Sequence, residues 1–105
     1  MIITIVTFNL PTKATLQEIT AIFQGTAPKY LGMHGLIRKN YWLSEDGNRA
    51  GGIYLWESRA DAEKLYTPEW NKVLEEKYGS PPIVEYIYSP VMVDNIESKI
   101  ATITN

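Results

Sequence analysis

The chain has 105 residues, 10 basic and 12 acidic side chains, and no cysteine. The length suits one domain, residues 1–105, since single domains commonly run about 100–150 residues. Near-neutral charge without a Lys/Arg block leaves no electrostatic footprint for nucleic acid or an anionic membrane, and the missing thiols remove disulfides, thiolate nucleophiles, iron–sulfur clusters and thiolate zinc sites together.

In chain order, Ile2 to Phe8 is β-branched and apolar on both alternating faces, the pattern of a central strand covered on both sides. It is too short to span a bilayer and lacks a basic start and a cleavage site, so the expected location is the cytosol. Pro11 ends it. Thr15 with Glu18 makes a capping-box pattern, and Leu16, Ile19, Ile22 and Phe23 follow at helical spacing. Gly25 and Pro28 should weaken or kink this helix, which Gly32 closes. Leu36 to Glu45 and Asn48 to Glu57 read as two strands joined at Asp46-Gly47, a pair that tolerates the positive φ angles of a tight hairpin. Ser58 then caps a helix with Asp61 at its third position. Thr67 and Pro68 restart it, Trp70, Val73, Leu74 and Tyr78 line one face, and Gly79 ends it. Pro81-Pro82 leads into a last strand, Ile83 to Tyr88, and Pro90 separates this from Val91-Met92-Val93.

The order β-α-β-β-α-β is the ferredoxin-like split βαβ arrangement, an α+β fold with a four-stranded antiparallel sheet. Right-handed crossovers put the first and third strands in its middle. Consistent with that, the second strand is polar at Arg38-Lys39-Asn40 and the fourth carries a proline, Pro90, which interrupts it, features suited to sheet edges. Both helices cover one face. The apolar opposite face of the first strand therefore demands a second subunit, sheet against sheet, and residues 89–105 are free to act as an arm that crosses to the partner.

The stretch GLIRKNYWLSEDGNRAGGIYLW from Gly35 to Trp56, above all Ala50-Gly51-Gly52-Ile53-Tyr54-Leu55, and the SPVMVDN segment from Ser89 to Asn95 resemble the YdhR-type monooxygenases of the dimeric α/β-barrel superfamily. The resemblance implies a homodimer with a ligand cavity between the sheet and the helices of each subunit. By position it implies contributions from Asn9, His34, the second strand, Trp56, Tyr66 and Trp70. Haem-degrading relatives place their iron-ligating histidine near Glu75, so no haem is expected.

His34 is the only histidine, which leaves no two-histidine iron or zinc set. It reads either as a general base on a phenolic or enolic substrate or as a turn-tolerant loop residue. Tyr41, Trp42, Tyr54, Trp56, Tyr66, Trp70, Tyr86 and Tyr88 are enough aromatic surface to line a flat pocket, although most suit core and interface equally well. Strand alternation sends Arg38 and Asn40 to one face and Lys39 and Tyr41 to the other, with one member of a pair available to orient an oxyanion or both guarding a sheet edge. RNA-recognition domains share the element order, but Gly51 and Ile53 stand where their stacking aromatics belong. The expected activity is a cofactor-independent monooxygenase for a small hydroxylated aromatic or quinol-like compound. His34 or Tyr41 would be its base, and Asn9, Arg38, Asn40, Tyr54, Trp56, Tyr66, Trp70 and Tyr86 its substrate contacts, with no metal. The alternatives are a cyclase or isomerase using the same pocket without oxygen, or a non-catalytic dimeric binding module.

Overall fold

The computed structural model describes residues 1–102. Strands β1 (Ile2–Asn9), β2 (Leu36–Leu43), β3 (Arg49–Trp56) and β4 (Ile83–Tyr88) form an antiparallel sheet in the order β2-β3-β1-β4, so the first and third strands are central as their apolar patterns require. Helices α1 (Leu16–Thr26), α2 (Arg59–Leu65) and α3 (Pro68–Tyr78) belong to one layer. They bury Ile2, Thr4, Val6 and Phe8 of β1 with Tyr54 and Trp56 of β3 against Ile19, Phe23, Ala62, Trp70 and Tyr78. This is the ferredoxin-like α+β arrangement, and no helix among the described residues is long and apolar enough to cross a membrane.

Local chemistry sets the boundaries. Thr15 and Glu18 form the full capping box at the start of α1, satisfying two orphan N–H groups reciprocally. Ser58 and Thr67 cap α2 and α3 through the amides of Asp61 and Trp70. Gly79 ends α3 at φ 84°, a left-handed conformation that glycine adopts without steric cost. The first helix does not continue through Pro28. It stops at Thr26 and tightens into a 3-10 turn, Ala27–Lys29, where proline's missing N–H costs nothing.

The hairpin between β2 and β3 is longer than the tight turn expected at Asp46-Gly47. Leu43 pairs with Ala50, and Ser44 to Asn48 form the loop. Only Gly47 has a positive φ, while the Asp46 carboxylate accepts from the Ser44 hydroxyl and the Asn48 amide and so fixes the turn by side-chain bonds.

Beyond β4 the chain makes a second, two-stranded sheet from β5 (Val91–Asp94) and β6 (Lys99–Thr102). The sequence marks β5 but gives no period-2 signal for the short, largely exposed β6. On the sheet face away from the helices, Ile3, Ile53 and Leu55 line an open groove with Arg38, Asn40 and residues 91–96 of this arm. The groove leaves much of that face uncovered, with Ile53 44% and Ile87 37% exposed.

Candidate functional site

Register decides which second-strand side chains meet the helices. Lys39 lies opposite Tyr54 and Tyr41 opposite Gly52, so both project toward the helical layer. Arg38 and Asn40 project to the opposite, open face. Phe8, Phe23, Tyr30, Lys39, Tyr41, Tyr54 and Tyr78 enclose a cavity of about 270 Å3 between sheet and helices. Lys29 and Lys77 also line it.

One of the lining residues is a lysine in an aromatic box. The Lys39 Nζ lies 3.4 Å from the ring centroid of Tyr30, 3.9 Å from that of Tyr41 and 4.5 Å from that of Tyr54. Gly52 makes the room. A Cβ there would fall 2.8 Å from the Tyr54 ring and 3.1 Å from Lys39 Cε, so a side chain would press on both. Desolvation by the apolar wall, with the Lys29 charge second, pulls the Lys39 ammonium down to about 7. The ring faces oppose that shift through cation–π attraction. An amine thus becomes available near neutral pH, where an ordinary lysine offers almost none.

The tyrosines move the other way. Burial raises Tyr41 despite its hydrogen bond with Thr26, raises Tyr54 strongly, and pushes Tyr78 up to about 12. They remain neutral hydroxyls, able to donate hydrogen bonds and not to abstract protons. Tyr41 lines the cavity, and its environment suits a donor better than a base.

Behind Tyr54 stands a second aromatic layer. Trp56 stacks on Tyr54 at 5.9 Å between centroids, and Tyr66 meets Tyr54, Trp56, Trp70 and Tyr86 edge-on. One buried threonine ties the layer to β1. The Trp56 indole N–H donates to Thr4 Oγ1 at 3.0 Å, and the hydroxyls of Thr4 and Tyr66 are bonded at 2.5 Å. The Trp70 indole N–H reaches forward to the Tyr30 hydroxyl at 3.3 Å, coupling this layer to the box around Lys39. Replacing Thr4 by valine keeps the shape but strands the buried Trp56 indole N–H and leaves the Tyr66 hydroxyl without this partner, so Thr4→Val should lower stability by about 1–3 kcal/mol. Urea melts would show it, with Thr4→Ser recovering most of the loss.

The structure thus brings Tyr41 and Tyr54 into the cavity wall and sets Trp56, Tyr66 and Trp70 one layer behind it. Tyr86 is at the layer's outer edge, with the Arg59 guanidinium 4.0 Å from its ring centroid. His34 is elsewhere. Its side chain is 85% exposed in a shallow depression with Met33, Asp61, Lys64 and Leu65, its Nε2 3.6 Å from the Asp61 carboxylate. Asn9 is exposed at the end of β1, its carbonyl accepting from the Ser80 hydroxyl. Alternation sets Lys39 beside Tyr41 as a group able to orient an oxyanion, and the aromatic box and the lowered proton affinity of its amine are what the sequence does not disclose.

A family model described as "Putative mono-oxygenase ydhR" matches residues 3–102. No curated protein matches the chain. Among solved structures, the chain is similar to a monooxygenase from the gene ActVA-Orf6 of Streptomyces coelicolor in complex with the ligand nanaomycin D. The TM-score is 0.63 and the identity 19%, over 84% of this chain and 86% of that one. It is also similar to SnoaB, a cofactor-independent oxygenase from Streptomyces nogalater, with TM-score 0.60, 15% identity, and coverage of 84% of this chain and 91% of that one. A third, an antibiotic biosynthesis monooxygenase described as putative from Bordetella bronchiseptica, has TM-score 0.61, 19% identity, and coverage of 84% and 95%. At these identities the likeness to solved structures carries the fold alone.

Proposed function

The chain belongs to the YdhR mono-oxygenase family, and from that premise we propose that the cavity around Lys39 oxidises a small hydroxylated aromatic or quinol-like compound without a cofactor of its own. The observation that carries the reading is an amine near neutrality, 3.4–4.5 Å from three tyrosine centroids, in a cavity between sheet and helices. Phe8, Phe23 and Tyr78 supply flat apolar walls for a ring.

Lys39 as free amine accepts the proton of the substrate hydroxyl. The ammonium so formed remains beside the new phenolate and stabilises it, a gain that is larger in a dry cavity than in water. The electron-rich anion passes one electron to dioxygen, and the resulting superoxide and substrate radical join to form a C–O bond. Cleavage of the O–O bond leaves a ring carbonyl and releases water. A ring C–H, the phenolic O–H and one dioxygen thereby become a quinone and one water, with all four electrons drawn from the substrate. SnoaB, whose fold this chain shares, is a cofactor-independent oxygenase, which supports the same reading here.

The active unit in this reading is a homodimer joined through the open sheet face, where Ile3, Ile5, Ile53, Leu55 and Ile87 present an apolar surface.

Oxygen uptake with a panel of hydroxylated naphthalenes and anthracenes tests the chemistry. One atom of labelled dioxygen should enter the product and the other should leave as water. Turnover that continues without oxygen would instead mark a cyclase or isomerase.

A further inference from the structure

The charges lining the cavity are all of one sign. Lys29, Lys39 and Lys77 line it, and no Asp or Glu does, although the chain carries 12 acidic side chains against 10 basic ones. Among the described residues none of the three lysines has a carboxylate within ion-pair distance. The three come from separate elements. Lys29 ends the 3-10 turn after α1, Lys39 is on β2, and Lys77 is in the last turn of α3.

Two of them differ from the third. Lys29 and Lys77 are exposed at the rim, while Lys39 is half-buried within the tyrosine box. Each rim lysine keeps its head in water and lends its stem to an apolar wall. Lys29 additionally faces Tyr30, its Nζ 5.7 Å from the ring centroid. A helix C-terminus already favours a cation, which accounts in part for Lys77 and for Lys29 at the end of its short turn but leaves Lys39 unexplained. Burial first, and the Lys29 charge second, lower the Lys39 proton affinity, and an anion bound between the lysines relieves that repulsion.

We propose that the substrate is an aromatic acid, a planar hydroxylated ring bearing a carboxylate, whose acid group is held at the rim by Lys29 and Lys77 while its hydroxyl reaches Lys39. This rests on the cavity reading above and adds the anionic group. It also divides the work. The rim cations select and hold, and the buried amine is left free to take the hydroxyl proton because the carboxylate is neutralised elsewhere.

The test compares naphthoate with its neutral carboxamide, two probes of one shape that differ in charge and do not turn over, by calorimetry or fluorescence quenching on the whole protein. Naphthoate should bind roughly tenfold to a hundredfold tighter, the worth of one charge-assisted contact. That preference should shrink as the Debye length falls from about 30 Å in dilute buffer to about 3 Å in molar salt. Lys29→Gln with Lys77→Gln, both exposed and so tolerant of substitution, should erase the preference, so that naphthoate binds no tighter than its carboxamide to the double variant. Equal binding of the two probes overturns the anionic assignment while the cavity reading survives. A preference that persists in the double variant overturns the rim assignment, and binding of neither probe removes the cavity reading together with the inference.

Discussion

Lys39→Met is expected to lower turnover of a phenolic substrate by about 10²- to 10⁴-fold, the range for loss of a positioned general base, while the protein becomes more stable at acid pH. Burial of the ammonium holds Lys39 near 7 in the folded chain, against 10.5 for an ordinary lysine. Below pH 7 both states are protonated, so the folded protein bears the whole cost of desolvating the charge. From pH 7 to about 10.4 the unfolded chain binds a proton that the folded chain does not, and stability rises with pH. Methionine fills similar space without a charge. Its stabilising effect in thermal melts should therefore be largest near pH 6 and fade as pH rises. Parent turnover should climb through pH 7 and level off, as expected of a base that must first lose its proton. Lys39→Arg separates the two roles of the side chain, since a guanidinium keeps the charge and cannot serve as a base at any working pH. If Lys39→Arg turns over like the parent, Lys39 acts only as a cation and the base assignment is wrong.

The strength of this prediction comes from tertiary placement that the sequence only half discloses. Alternation along Leu36 to Leu43 was enough to put Lys39 with Tyr41. It could not say that Gly52, across the ladder from Tyr41, leaves the opening through which Lys39 reaches Tyr30. Tyr30 itself is in the turn after α1, a position with no periodic signal. The capping residues Thr15, Ser58 and Thr67 and the αL glycine Gly79 were legible because each acts within a few residues of itself. The central positions of β1 and β3 were legible for a different reason, since a strand apolar on both faces has nowhere else to go. Aromatic content behaved otherwise. Side-chain type alone does not separate Tyr54 at the cavity wall from Trp56, Tyr66 and Trp70 one layer behind it, because that distinction is set by packing depth. Nor could it show that His34 would face solvent beside Asp61, 85% exposed, and not the cavity.

The open sheet face carries the other large effect. On β1, Ile3 and Ile5 point away from the helices, and the register sets Leu55 and Ile53 beside them on β3 and Ile87 beside Ile3 on β4. The chain's own β5–β6 arm borders this surface at Arg38 and Asn40, yet Ile53 remains 44% exposed and Ile87 37%. A contiguous branched-chain surface on the middle strands of a sheet is costly to leave in water, at about 25 cal/mol per Å2 of apolar area. In the proposed homodimer a second copy would offer the same face in return, as two-fold symmetry requires. Ile53→Asp puts a carboxylate into the apolar middle of that contact, with the Arg38 cation lining the edge of the same groove. A buried charge that is not fully compensated costs about 3–5 kcal/mol. The dimer dissociation constant should therefore rise by roughly 10²- to 10⁴-fold, and sedimentation velocity at micromolar concentration should show a shift from dimer to monomer. The variant should still fold, because Ile53 points away from the helix-side core and its partner across the ladder, Ile5, is itself only half-buried. Far-ultraviolet circular dichroism would verify this alongside. A parent protein that sediments as a monomer would rule out the sheet-to-sheet dimer, and an unchanged dimer in Ile53→Asp would move the interface to another face of the molecule.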